Sequence, residues 1–299
     1  MMSFDPNAFL IISTASLIAI SCGLLGVFMM LRKMSMTGDA ISHAVLPGIV
    51  IGFFISGSQR GLEVIIGAGI LGILATLMID WFRKKAKVQL DASIGITFTL
   101  LFAIGIILIN VLAYKVDLDQ ECVLYGEIAY LPIDLWITGS GMNLGPRITW
   151  LAVLNLILVL GFIVSLFKEL SLTSFDEGFS LVIGLPAGAI NLALMSMVSY
   201  TTVSSFEAVG AILVVALLVV PPATAFLWTK KLIPLIKITA GLGVIISIIG
   251  YYFAYWLDSS IAGMMVSVSG VIFLASAILK SKKPNFKFGT KIADKPFSI

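Results

Sequence analysis

Apolar runs of roughly twenty residues, separated by short polar or basic breaks, follow one another along almost the whole chain. A helix needs about 20 apolar residues to cross about 30 Å of hydrocarbon. Runs of that length predict nine spanning helices, at roughly 8–31, 40–56, 62–82, 92–113, 148–167, 189–206, 209–228, 232–256 and 260–279. Eight or ten fit nearly as well, because the second run is short and contains Pro47, and only FEAVG separates the sixth from the seventh. The pattern defines an all-α, polytopic membrane bundle with a single transmembrane domain over 1–279 and a polar tail over 280–299.

Composition agrees. The chain is 59% hydrophobic and 12% charged, with a mean hydropathy of +1.10, against about 25% charged residues in soluble domains. The first residues, MMSFDPNAF, carry no basic stretch and the first apolar run is long enough to span, so a cleaved leader is not expected. The net charge of +3 says less than its placement. With the amino terminus outside, Arg32, Lys33, the cluster RKKAK at 83–87, Lys168, Lys230, Lys231, Lys237 and the tail lysines share one side. Arg60, Lys115 and Arg147 fall on the other. Basic residues collect on the cytoplasmic side, so the tail is expected there, attracted to anionic lipid. The outer face carries Asp117, Asp119, Glu121, Glu127 and Asp134 within a loop at 114–147. These acids either concentrate cations or belong to an ordinary solvated loop. GSGMNLGPR, at 139–147, reads as turns.

Glycines at close spacing in GAGILGILA (67–75) and GLGVIISIIG (241–250) mark helix contacts, because small residues let backbones approach in lipid. No GxxxxGK[ST], CxxC or HExxH is present, so the chain has no phosphate-binding loop of its own. Cys22 lies within a span and Cys122 in a loop, and the two are not expected to pair.

The chemistry concentrates in GDAISHAVLPG, residues 38–48, which holds the only histidine of the chain. Asp39 and His43 are four residues apart and share a helix face. Carboxylate oxygen and imidazole nitrogen are ligands for Mn²⁺, Zn²⁺ or Fe²⁺, and membrane spans keep ionisable groups mainly along substrate paths or in pairs. The alternative is structural: Asp39 caps a helix after Gly38, and His43 bonds to it or to a carbonyl. Arg32 and Lys33 lie just before the pair, which puts it near the inner surface by hydropathy. Met34 and Met36 flank it, as soft ligands or as packing. A second informative stretch is TSFDEGFSLVIGLP at 173–186, where Ser174 is expected to cap a short helix with Asp176 and Glu177 in its first turn. Gly184 and Pro186 end that helix, and Phe175, Phe179, Leu181 and Val182 give it apolar surface. Pro221 and Pro222 predict a bend in the seventh span.

LRKMSMTGDAISHAVLPGIVIGF at 31–53 resembles the signature of the permease subunit of manganese, zinc and iron ABC importers. DASIGITFTLLFAIGIILI (91–109), LTSFDEGFSLVIGLP (172–186) and VGAILVVALLVVPPATA (209–225) are similar to further segments of that family, in order, so the resemblance covers nearly the whole chain. It implies a bacterial plasma-membrane homodimer bound to two copies of a separate ATPase subunit, with an extracytoplasmic metal-binding protein delivering the ion. It implies that Asp39 and His43 form a transient cation site and that 172–186, with Phe175, Asp176, Glu177, Phe179 and Gly184, docks the ATPase. The metal is cargo; no permanently bound cofactor and no nucleic acid are implied. Two departures stand out: the segment around 139–147 is longer than the family pattern, and Glu207 sits where a neutral polar residue is expected. Glu207 is either an outer-gate ligand or a solvated helix end.

Three other classes remain. A cobalamin or iron-siderophore permease would share the docking segment without needing the Asp39/His43 pair. A gradient-driven cation transporter would need no ATPase, which the docking-like segment argues against. An intramembrane enzyme would need Ser42 and His43 to cooperate, but adjacent helical residues point apart.

Overall fold

A computed structural model describes residues 6–57, 62–112, 128–131, 135–137 and 143–281. Among these, eleven helices alternate with tight turns: α1 (Pro6–Leu31), α2 (Ser35–Ala44), α3 (Leu46–Ser56), α4 (Leu62–Lys84), α5 (Leu90–Leu112), α6 (Arg147–Ser165), α7 (Phe167–Phe175), α8 (Glu177–Val182), α9 (Ala187–Trp228), α10 (Leu232–Leu257) and α11 (Ile261–Ser281). The acids of the 114–147 loop, Asp117 through Asp134, lie outside the described residues, as do Cys122 and the tail after Ser281.

The all-α expectation holds, with one addition. Leu135–Ile137 (β1) and Asn143–Pro146 (β2) pair as a small antiparallel hairpin where the sequence suggested only turns.

α1 is the hub. Every residue from Ser21 to Met29 is buried, as expected of a helix that is apolar all round. It packs against α6, α9 and α10. Glycines set several close approaches. A side chain on Gly26 would run into the Leu218 carbonyl of α9, one on Gly48 into the Gly67 backbone of α4, and one on Gly250 into Met265 of α11. The sequence singled out Gly67, Gly72, Gly243 and Gly250, and each faces another helix; Gly69 and Gly241, from the same runs, face open space.

Eight helices among the described residues are long and apolar enough to cross a membrane, α2 and α3 counting as one span, Ser35–Ser56. The expected ninth, 189–206, is the first half of α9, too rich in Ser and Thr to count by hydropathy. The 42 residues of α9 are interrupted at Gly210, whose φ of 75° and ψ of 163° are not helical. Ser205 lies against Cys22, yet the Leu217 carbonyl lies beside Gly23. Twelve residues of straight helix would separate Ser205 and Leu217 by about 18 Å, so the chain changes direction at Gly210. Pro221 and Pro222 lie further on in the second half.

Candidate functional site

α1 ends at the basic pair. Lys33 adopts a left-handed φ of 59°, and the Met34 and Lys33 amides donate to the carbonyls of Met29 and Met30, at 2.9 and 3.0 Å. This is a Schellman termination, with lysine in the position glycine usually takes. The chain reverses within it, and α2 starts at Ser35. Asp39 is therefore the fifth residue inside α2 rather than a cap. The N-cap is Met34, with no side-chain capping bond, and the capping alternative is set aside.

Within α2, Thr37, Gly38, Ala40, Ile41, Ser42 and Ala44 are buried. Met36, Asp39 and His43 recur at the i, i+3, i+7 spacing of one helix face and form its exposed stripe, with Met36 66% exposed overall and the side chains of Asp39 and His43 58% and 34% exposed. His43 Nε2 and Asp39 Oδ1 are 3.7 Å apart, too long for a hydrogen bond. Neither group consumes the other's lone pair, so both can face one ion. The imidazole rests against two rings of α5, Phe98 and Phe102, at centroid distances of 5.4 and 5.6 Å. These contacts restrict its orientation. Pro47 follows a turn later and cannot donate a backbone bond; the helix passes from α2 to α3 at Val45. Met34 is buried in the core, so it packs, whereas Met36 shares the face of the pair. Ser42 donates to the Gly38 carbonyl at 2.9 Å and is buried, which removes it as a nucleophile beside His43.

At the end of the bundle that carries Arg32, the breaks between helices gather around a cavity of about 270 Å³. Its lining includes Arg32, Lys33, Arg83 and Lys84 with Asp80, and Thr173, Ser174 and Asn191. Lys84 pairs with Asp80 at 3.2 Å. Four of the basic residues that the sequence assigned to one side, Arg32, Lys33, Arg83 and Lys84, thus line one cavity.

The short helix of the second stretch exists, with a different cap. Asp176 Oδ1 accepts the Phe179 amide at 2.8 Å and caps α8. Ser174 instead lies inside α7 and donates to the Leu170 carbonyl. Asp176 displaces the expected Ser174 because a carboxylate at the helix start gains from the dipole as well as from the bond. Gly184 ends α8 as expected: its φ is 80°, and the Leu185 amide donates to the Ser180 carbonyl at 2.9 Å. Phe175, Phe179, Val182 and Ile183 are exposed, Val182 to 85%. The side chains of Glu177 and Glu207 lie outside the described part of the structure, so the outer-gate reading of Glu207 is not addressed by it.

Sequence reasoning overlooked the polar interior of α9. Ser199, Thr201 and Thr202 are fully buried, and Thr201 donates to Asn155 of α6 at 3.1 Å. The run SYTTVSS carries that signal, since hydroxyls in a span that cannot face lipid must face a neighbour. It also overlooked Arg32 as anything more than a cytoplasmic charge.

A bundle of apolar helices with a carboxylate–imidazole pair on an exposed face inside a span, and an apolar short helix at its basic end, has the form of a membrane permease. The chain belongs to the ABC 3 transport family, whose model matches residues 6–280. It is 44% identical over 280 residues, 94% of this chain and 93% of the relative, to the manganese transport system membrane protein MntD of Bacillus subtilis (strain 168). It is 36% identical over 269 residues, 88% of this chain and 71% of the relative, to the zinc transport system membrane protein TroD of Treponema pallidum (strain Nichols). Among solved structures, PsaBC from Streptococcus pneumoniae in complex with Fab superposes with a TM-score of 0.74 at 31% identity, covering 91% of each chain.

Proposed function

We propose that this chain is the permease subunit of an ATP-driven importer that moves Mn²⁺ or Zn²⁺ into the bacterial cytoplasm, with Asp39 and His43 as transient ligands. The observation that carries the reading is the placement of that pair, unbonded to each other, on the exposed stripe of α2 within the span Ser35–Ser56. A carboxylate facing hydrocarbon would be costly, so the stripe calls for a cover. A second copy of the chain supplies one and brings two Asp39/His43 pairs to a common axis. Two ligands per subunit replace part of the hydration shell without closing a cage around the ion, which suits passage better than storage. His43 binds a metal in its neutral form.

The exposed apolar surface of α7 and α8, capped by Asp176, is the docking element for the ATPase, and each of two copies would take one such element. Hydrolysis belongs to that partner, because the chain carries no phosphate-binding loop. An extracytoplasmic metal-binding protein delivers the ion at the opposite face. The basic end and the tail 280–299 lie in the cytoplasm, by the distribution of Lys and Arg. The names of the curated relatives favour manganese, with zinc next.

The test is ATP-driven uptake of labelled Mn²⁺ and Zn²⁺ by proteoliposomes holding the permease, its ATPase and its binding protein. Saturable uptake of either ion that requires ATP supports the reading. Uptake of a metal chelate in place of the bare ion, or uptake driven by an ion gradient without the ATPase, contradicts it.

A further inference from the structure

We infer that Arg32 is a mechanical clamp that couples the docking segment to the helix carrying Asp39 and His43. Its guanidinium spans three partners on two other helices. Nε donates to Ser174 Oγ at 3.0 Å, Nη2 to Thr173 Oγ1 at 2.7 Å and Nη1 to Asn191 Oδ1 at 3.2 Å. Thr173 and Ser174 are the last residues of α7 before Phe175, and Asn191 is in the second turn of α9. The acceptors are fixed in advance. Thr173 gives its own hydroxyl proton to the Glu169 carbonyl at 2.7 Å, and Ser174 gives its proton to Leu170. Each hydroxyl oxygen then has a lone pair left for the arginine and little freedom to turn away.

The other end of the clamp is equally constrained. Arg32 is the last residue before the left-handed Lys33, inside the Schellman turn that closes α1. α2 starts at Ser35, and Asp39 follows four residues later. Gly38, between them, packs against Met29 of α1 and Leu218 of α9. A displacement of the end of α7 must therefore either break the two bonds that Arg32 makes to Thr173 and Ser174 or carry the α1–α2 turn with it. Charge-assisted bonds in a planar fork are the stronger and more directional kind. Lysine, a single ammonium on a flexible stem, cannot hold the same three acceptors in one plane.

This inference rests on the reading that the ATPase docks on α7 and α8. In that setting the clamp makes ATP-driven movement of the docking segment a movement of the metal ligands. Arg32 touches no ion; it positions the helix that does.

The test uses the full complex with its ATPase and binding protein, and compares wild type with Arg32→Lys and Thr173→Val. Mn²⁺ uptake and ATP hydrolysis are read together, and a spin-label pair at Lys33 in the exposed α1–α2 turn and Lys168 on α7 reports the distance between the two. Both variants are expected to assemble and hydrolyse ATP, while ions moved per ATP fall about tenfold, within the usual range of coupling energies. The 33–168 distance is expected to stay constant through the nucleotide cycle in wild type and to vary in the variants. Unchanged ions per ATP in the variants overturns the clamp, and so does a wild-type 33–168 distance that changes between nucleotide states. If neither variant assembles, the wild-type distance alone decides. Failure of the docking reading looks different: an ATPase that binds normally to Phe179→Asp refutes docking on α8, and the 33–168 distance still judges the clamp.

Discussion

The close contact of α1 with α9 permits a comparison in which one chemical change has opposite signs at packed and at open positions. Gly26→Ala puts a methyl group into the Leu218 carbonyl and 2.9 Å from the Pro222 ring. The obstacle is helix backbone, which cannot rotate aside, so α1 and α9 must separate along a stretch where α1 is buried on all sides. Overpacking of this kind costs about 1–3 kcal/mol. Gly161→Ala on α6 and Gly241→Ala on α10 meet nothing within 4 Å. There the substitution removes only the entropy penalty of glycine in a helix and should stabilise by about 0.5–1 kcal/mol. The difference between sites is thus about 1.5–4 kcal/mol, or more than tenfold in the folding equilibrium. Equilibrium unfolding in mixed micelles titrated with SDS measures it. Gly26→Ala should lower the midpoint, and Gly161→Ala and Gly241→Ala should hold or raise it. Equal behaviour of Gly26→Ala and Gly161→Ala would refute the claim that Gly26 is there for backbone contact.

Two further outcomes concern the docking helix. Asp176→Ala removes the cap of α8, worth about 1 kcal/mol, and should weaken ATPase co-purification, while Asp176→Asn, which keeps an acceptor oxygen, should retain most of it. Phe179→Asp places a charge on the exposed apolar face without disturbing the core; pull-down should show loss of the ATPase with normal folding of the permease.

The sequence made the apolar helices and the basic end legible because both follow from the bilayer acting as solvent. Burial of hydrocarbon and exclusion of charge impose themselves on every span, whatever it packs against. The Asp39/His43 pair was legible for the same reason, since an imidazole in a span is conspicuous. What was misread depended on contacts between distant segments. Ser174 and Asp176 are both good caps two residues apart; the helix dipole favours the carboxylate, and Arg32, 142 residues away, takes the serine oxygen as an acceptor within α7. In the first half of α9 the Thr201 hydroxyl meets Asn155 of α6, and the break after it is set by Gly210, whose positive φ no local pattern announces. The hairpin of β1 and β2 arises from pairing across a loop and left no alternation long enough to recognise.

The central claim is that the ion passes the carboxylate and imidazole of α2, and the most direct measurement compares ATP-driven Mn²⁺ and Zn²⁺ uptake in proteoliposomes between wild type and His43→Ala. Ring contacts with Phe98 and Phe102 are the main packing that this substitution removes, so assembly with the ATPase should survive and can be checked on the same sample. The account predicts that uptake collapses by about tenfold or more, as loss of one of few ligands implies, while the complex remains intact. Undiminished uptake by an intact His43→Ala complex would contradict it and send the path elsewhere in the bundle.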